Sequence, residues 1–219
     1  MIKYYDKLSI SLSEINYEPT LLLFSLEGCN LKCYNCLNYD ILISPINKKY
    51  KTINEICDYI KRNDYLFESI VLSGGEYLIS PLDTIINDIQ KIKTITDKKI
   101  IIYTNGSFPE KMIALYDLVD GFHTDMKLPY HLLDINEDKE LIQLILGTNI
   151  NQTTLNKLIQ SIELTVKLDK GNNQIRSVEY PFLDISAFEA NKEYINKLNK
   201  KHGKNVPYYI NNFINVERE

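Results

Sequence analysis

An α/β fold is what this sequence predicts, in the form of an open, partial (β/α)6 barrel of TIM-like architecture. Three observations point there. Short apolar runs of strand length alternate with stretches whose apolar residues recur every three or four positions, and that alternation yields parallel strands joined by helical crossovers. Glycines or an Asn-Gly pair follow the first three runs, so each run stops sharply. About six such units fit into 219 residues, whereas a closed eight-unit barrel takes about 250. Residues 1–219 therefore read as a single domain, with a core over about residues 17–181 and a segment 182–219 that completes the open barrel.

Taken in order, residues 21–26 (Leu-Leu-Leu-Phe-Ser-Leu) form a run suited to a buried strand, ended by Glu27 and Gly28. Thr52 and Glu55 make a capping box, and Ile53, Ile56 and Ile60 follow at helical spacing, which starts a helix at Thr52. Residues 69–72 are a second buried strand, stopped by Gly74 and Gly75. Ser80 caps the next helix, Pro81 fits its first turn, where the missing N–H costs nothing, and Leu82, Ile85, Ile86, Ile89 and Ile92 share one face. Residues 99–104 form a third strand closed by Asn105-Gly106, residues 109–118 a helix, and residues 121–125 a fourth strand. Leu155, Leu158, Ile159 and Ile162 mark a further helix, and residues 174–180 a fifth strand. Ser186 and Glu189 form a second capping box, and residues 206–210 a sixth strand. Residues 38–51 and 129–151 are the longest irregular stretches, the second with room for a short helix over 137–146. Neither has the composition of a linker, and there is no internal repeat.

Composition narrows the function. Hydrophobic residues at 44% and charged residues at 25% are ordinary globular usage, which sets aside disorder and fibrous repeats. A net charge of -4 argues against a general nucleic-acid binder, which presents a basic face to phosphates. Residues 1–13 mix Lys3, Asp6 and Lys7 with tyrosines rather than forming the apolar core of a signal peptide, and no stretch has the length of a membrane span, so the expectation is a cytoplasmic protein with no membrane partner. Three of the four cysteines fall within eight residues. Such spacing would force strained short disulfide loops, and ligation of a metal or cluster explains it better.

The chemistry concentrates in Gly28-Cys29-Asn30-Leu31-Lys32-Cys33-Tyr34-Asn35-Cys36, directly after the first strand, at the end where parallel α/β folds place their sites. An iron-sulfur cubane has four irons, each normally held by a thiolate. Cys29, Cys33 and Cys36 supply three, which leaves one iron open to a chelating substrate such as the amino and carboxylate groups of S-adenosylmethionine. After the second strand comes Ser73-Gly74-Gly75-Glu76, where glycines let a backbone come close to a ligand. Cys57 lies on the apolar side of its helix and reads as core, and His123, His131 and His202 have no paired ligand spacing.

This Cys-x-x-x-Cys-x-x-Cys loop resembles the signature of the radical S-adenosylmethionine superfamily, and Ser73-Gly74-Gly75-Glu76 looks like its Gly-Gly-Glu motif, which holds the methionine amino group. Over residues 17–181 the chain further resembles the activating enzymes of glycyl-radical enzymes, most of all the activase of anaerobic ribonucleoside-triphosphate reductase. The residues that carry this likeness are Cys36-Leu37-Asn38, Thr104-Asn105-Gly106 after the third strand, the Asp125-Met126-Lys127 ending of the fourth, and Arg176 on the fifth. The resemblance implies a 4Fe-4S cluster on the three cysteines and S-adenosylmethionine as cofactor. It implies that Thr104 and Asn105 line the cofactor site, that Lys127 and Arg176 meet the carboxylate or ribose, and that Asp125 orders the site, directly or through a bound cation. It also implies as partners a glycyl-radical enzyme and an external low-potential electron donor such as flavodoxin or ferredoxin. Four positions depart from the pattern: Tyr77 where proline is usual, Tyr103 in place of an aspartate, Asn35 where many relatives carry an aromatic residue, and Phe182 where glycine commonly follows the strand-five proline.

Two other readings stand beside this one. A radical enzyme acting on a small molecule, resembling 7-carboxy-7-deazaguanine synthase, shares the compact length and the Gly-Gly-Glu motif. From another class, a zinc-stabilised interaction module would use the cysteines without catalysis, and it predicts a colourless zinc protein where the cluster predicts a brown one.

Overall fold

The computed structural model describes residues 1–15, 17–40 and 48–216. Residues 41–47, the middle of the first stretch expected to be irregular, lie outside the described residues. The chain divides into two compact units, one of Met1–Asn30, Asn38–Tyr103 and Ala114–Asp120, the other of Leu31–Leu37, Thr104–Ile113 and Gly121–Glu219.

In the first unit β3 (Glu18–Ser25) pairs in parallel with β5 (Ser69–Gly74), from Thr20 against Ser69 to Ser25 against Gly74. β5 pairs in parallel with β6 (Lys99–Thr104), whose range reaches the first residue of the second unit, from Ser69 against Lys99 to Leu72 against Ile102. Lying between two partners, β5 buries all six of its residues. Ile15, Val71 and Ile101 form one apolar cluster, with Leu22 and Tyr103 packed on it. Three antiparallel strands complete the unit. β2 (Ser9–Ile15) and β1 (Tyr4–Tyr5) both pair with β3, and β4 (Tyr50–Lys51) pairs with β1. The sequence reading had none of these three: β1 and β4 are two residues each, too short to show a period, but Ser-Ile-Ser-Leu-Ser carries the alternation of a half-exposed strand.

Two helices serve these strands. α1 (Ile53–Asn63) begins as expected: Thr52 N–H donates to Glu55 Oε2 at 2.7 Å and Glu55 N–H donates back to Thr52 Oγ1 at 3.4 Å, while Ile53, Ile56 and Ile60 are buried. α2 (Leu82–Lys93) corrects one expectation, because Pro81 rather than Ser80 occupies its N-cap, after a short 3-10 turn over Tyr77–Ile79. That turn belongs to a buried network. Tyr4 Oη lies 3.1 Å from Tyr77 Oη and donates to Asp88 Oδ2 at 3.0 Å, so the N-terminal strand, the turn and α2 share one polar knot. Burial, with Tyr77 and Asp88 alongside, pushes the Tyr4 phenol well up, and burial also raises the Asp88 carboxyl.

In the second unit β7 (Gly121–Asp125), β8 (Gln174–Glu179) and β9 (Tyr208–Asn212) are parallel, with Asp125 against Arg176 and Ile175 against Tyr208. Helices α4 (Lys139–Leu146) and α5 (Gln152–Lys167) fall between β7 and β8, and α6 (Ile185–His202) between β8 and β9. α3 (Pro109–Leu115) stops three residues short of the expected helix. The cap of α6 is Asp184, whose Oδ1 accepts from Ser186 N–H at 2.9 Å, not Ser186 itself. The strand-helix alternation expected of an α/β fold is thus present in each unit, with parallel pairing wherever a helix intervenes. No helix among the described residues is long and apolar enough to cross a membrane.

Candidate functional site

Two glycines shape the exits of β3 and β5 in the first unit. A Cβ on Gly74 would lie 2.5 Å from the Ser25 carbonyl oxygen, and one on Gly75 would lie 2.3 Å from the Gly28 carbonyl oxygen and 3.1 Å from Cys29 Cβ. Glu76 N–H donates to that same Gly28 oxygen at 2.9 Å. The Gly-Gly-Glu segment therefore lies flush against the turn that carries Cys29, and the glycines are needed for that approach of backbone to backbone, a reason the sequence reading, which looked to the ligand, did not contain. Ser73 and Glu76 are buried, and the Glu76 carboxylate accepts from Leu78 N–H at 3.0 Å at the head of the 3-10 turn. Asn38, from the Cys-Leu-Asn ending, directs its amide to the Gly74 oxygen at 3.5 Å, a long contact. Tyr103, standing where relatives of the resembled kind have aspartate, donates to Glu14 Oε2 at 2.5 Å.

Cys33 and Cys36 belong to the second unit, where the loop over residues 31–37 hangs on α4. Lys32 N–H donates to Leu146 O and Tyr34 N–H to Ile145 O, both at 3.0 Å, so two of the carbonyls that a helix end leaves open are satisfied by the cysteine loop. Gly147 caps α4 at φ 65°, and a Cβ there would fall 1.7 Å from the Lys32 carbonyl oxygen. Burial pushes the Cys33 thiol up; the Lys127 ammonium partly offsets this, while Asp125 and Cys36 add to it.

The strand-end residues of the second unit are ordered by one another. Lys127 Nζ donates to Asp125 Oδ2 at 2.6 Å, with 12% of the lysine side chain and 33% of the aspartate side chain exposed. Burial alone would lower the lysine, yet Asp125, Cys33 and Tyr180 together raise it well above its ordinary value. Met126 N–H donates to the Arg176 carbonyl at 2.7 Å, which locks the ends of β7 and β8 in register. Thr104 Oγ1 accepts from Gly106 N–H at 3.1 Å and Asn105 Oδ1 from Ser107 N–H at 2.9 Å, so these two side chains build the turn after β6. In its own unit, then, the structure brings Cys29 together with Gly75 and Glu76, and in the other it brings Cys33 within electrostatic reach of Asp125, Lys127 and Cys36.

Residues 182–216 supply what sequence reasoning missed. The Tyr34 ring lies edge-on to Phe182 at 4.9 Å between centroids and to Tyr180 at 6.3 Å, and it stacks on Phe213 at 5.9 Å. Asn35, in a left-handed conformation at φ 46°, donates its amide to Ile214 O at 2.9 Å. The only sequence signal was the density of aromatic residues, Tyr180, Phe182 and Phe213, which by itself reads as core.

The donor chemistry fits a cluster. Cys29, Cys33 and Cys36 are cysteines in no disulfide and of intermediate exposure, whereas Cys57 is buried as expected. Among the described residues no three or more His, Cys, Asp or Glu side chains are gathered as a site for a single metal ion. His123 is buried against the Asn172 carbonyl, His131 stacks on Tyr194 at 4.1 Å, and His202 sits in the last turn of α6.

Comparison with known proteins adds the following. The model of a family described as a 4Fe-4S single cluster domain matches residues 19–143, which include all three loop cysteines and the Gly-Gly-Glu segment. No curated protein matches this chain. Among solved structures, native anSMEcpe with bound AdoMet and Cp18Cys peptide is 18% identical, with a TM-score of 0.53 over 88% of this chain and 50% of that one. A hexahistidine-tagged form of anSMEcpe with bound AdoMet is 16% identical with the same TM-score and coverage. QueE from Escherichia coli is 12% identical over 97% of this chain and 94% of that one, with a TM-score of 0.43. This chain spans about half the length of the anSMEcpe chain, and the likeness is one of fold, of the α/β class expected from the sequence.

Proposed function

We propose, from the premise that this chain belongs to the 4Fe-4S single cluster domain family, that it is a radical S-adenosylmethionine enzyme that generates a glycyl radical on an anaerobic ribonucleotide reductase. One observation carries the reading: a family match that spans a loop with three cysteines in no disulfide, Cys29, Cys33 and Cys36, a donor set one short of the irons in a cubane. The shared fold with a chain that holds AdoMet supports the cofactor. Held by Cys29, Cys33 and Cys36, a 4Fe-4S cluster would supply the one-electron reduction that cleaves S-adenosylmethionine.

The chain's own residues bind and orient. Cys29, Cys33 and Cys36 ligate as thiolates, so loading releases protons, and partial burial opposes that release at Cys33. Ser73, Gly74, Gly75 and Glu76 hold the methionine amino group, and the buried Glu76 carboxylate provides the negative charge. Lys127 and Arg176 meet the carboxylate or ribose, Asp125 fixing the lysine at 2.6 Å. Thr104 and Asn105 line the same cofactor. A flavodoxin or ferredoxin delivers the electron, a backbone glycine of the partner gives up the hydrogen, and reduced thiols suit the cytoplasm. The finer assignment of partner rests on Thr104-Asn105-Gly106, Asp125-x-Lys127 and Arg176 matching the activase pattern.

The test is anaerobic reconstitution. The wild type should bind about four irons and four sulfides and release deoxyadenosine with a reductant, and alanine at any of the three cysteines should abolish that release. Addition of the reductase should then give a glycyl radical in electron paramagnetic resonance. Deoxyadenosine without that radical rejects the partner, and a wild type without a cluster rejects the whole reading.

A further inference from the structure

We propose that Asn35 and Phe213 are positioning residues of a clasp through which the segment after β9 holds the Cys33–Cys36 turn in its ligating shape. The proposal deepens the reading of Cys33 and Cys36 as cluster ligands and rests on it in that respect.

The turn is gripped from two sides, both within the second unit. On one side α4 accepts the Lys32 and Tyr34 N–H groups at its open C-terminal carbonyls. On the other, Asn35 sits at φ 46°, a conformation that asparagine tolerates better than most residues but that is still uncommon outside glycine. Its amide nitrogen donates to the backbone oxygen of Ile214 at 2.9 Å and reaches Asn215 Oδ1 at 3.4 Å, across about 180 residues of sequence. The ring of the preceding residue, Tyr34, enters a group of three aromatic side chains: edge-on to Phe182 and Tyr180, stacked on Phe213 at 27° between planes. Tyr180 and Phe182 stack on each other at 5.8 Å, and Tyr180 also meets Phe213 at 5.9 Å, so the four rings support one another.

Geometry makes this a device for the ligands rather than general packing. Tyr34 and Asn35 are the only two residues between Cys33 and Cys36. Both are tied to the residues after β9, so that segment, together with α4, sets the spacing of the two sulfurs. The α4 contacts hold the backbone N–H groups of Lys32 and Tyr34, and the contacts after β9 hold the Asn35 amide and the Tyr34 ring. Releasing the segment lets the turn open, and the two thiols then sample positions from which they cannot each hold an iron of the same cluster.

The experiment uses the full-length protein in its reduced, iron-free form, with Asn35→Gly, Phe213→Ala and Phe213→Leu variants. Asn35→Gly accommodates the left-handed backbone and removes the side-chain amide together with its methylene. Labelling of each cysteine by N-ethylmaleimide is followed by mass spectrometry, with buried Cys57 reporting global opening. Asn35→Gly and Phe213→Ala should label at Cys33 and Cys36 about 5- to 10-fold faster than wild type, the order expected when one local hydrogen bond or ring contact is lost. Cys57 should be unchanged and Phe213→Leu should recover most of the protection. After anaerobic loading, iron should pass to a chelator faster by a similar factor in the same two variants. Labelling at wild-type rates in both variants overturns the clasp, and so does an acceleration that Cys57 shares. A wild type that binds no cluster defeats the cluster reading instead and leaves the labelling comparison intact.

Discussion

Gly147 shows how tightly a single residue is specified. Its φ of 65° already costs a Cβ-bearing residue about 1 kcal/mol, and the added methyl would meet the Lys32 carbonyl at 1.7 Å, so α4 and the cysteine loop cannot both stay in place. Gly147→Ala should lower the melting temperature and the iron retained per chain, read by calorimetry and metal analysis; unchanged iron would show that the loop has slack. Gly75 is the counterpart beside Cys29, with the Gly28 oxygen 2.3 Å from its would-be Cβ. Lys127 makes a different point. Removing Asp125 strands a largely buried ammonium, and Asp125→Asn should destabilise the fold by about 1–3 kcal/mol, less than a fully buried pair because a third of the aspartate side chain meets water. Chemical denaturation measures this, and Lys127→Met, which removes the charge instead, should cost less. The sequence made these residues visible only in part. Asp-x-Lys was legible as a motif, but no pattern announced that Gly147 faces Lys32, far back along the chain.

Among the elements, β7 carries a pH dependence with a definite sign. Burial, then Arg176, holds His123 on that strand well below the usual imidazole range, so the folded chain keeps it neutral where the unfolded chain protonates it. The unfolded state therefore binds more protons below about pH 6.5. Stability contributed by the neutral histidine is present above that pH and is lost as pH falls. Denaturation midpoints should drop between about pH 7.5 and 5.5, and His123→Gln should flatten the drop; equal slopes in both proteins would reject the assignment. β1, only two residues long, is held by side chains more than by its ladder. Tyr4→Phe should destabilise by about 1–3 kcal/mol, because Asp88 and Tyr77 lose their shared buried partner. The parallel strands and the cap of α1 were legible because apolar runs and the Thr-x-x-Glu box are local signals. β1 and β4 were not, since β1 depends on β3 for its pairing and β4 on β1, and neither on its own two residues.

For the molecule as a whole, cluster loading should stabilise the fold, because a ligand bound by the folded state alone shifts its equilibrium. Anaerobically loaded protein should melt above the iron-free form, and stripping iron with a chelator should return it to the lower value. The candidate site divides by legibility along a physical line. Cysteine spacing and the Gly-Gly-Glu run were readable because chemistry constrains residues close in sequence. The support from residues 182–216 was not, because ring packing between residues 34, 180, 182 and 213 leaves no periodic trace. The turn after β6 has a chemical consequence as well. An Asn-Gly pair ages by attack of the glycine nitrogen on the asparagine side-chain carbonyl, with loss of ammonia. Here Gly106 N–H is engaged by Thr104 Oγ1 and the Asn105 side-chain oxygen by Ser107 N–H, so the two reacting groups are held in other bonds while the chain is folded. Succinimide formation at Asn105 should accordingly proceed only during excursions out of the native state, which makes its slow accumulation on storage a built-in clock of how often that turn comes apart.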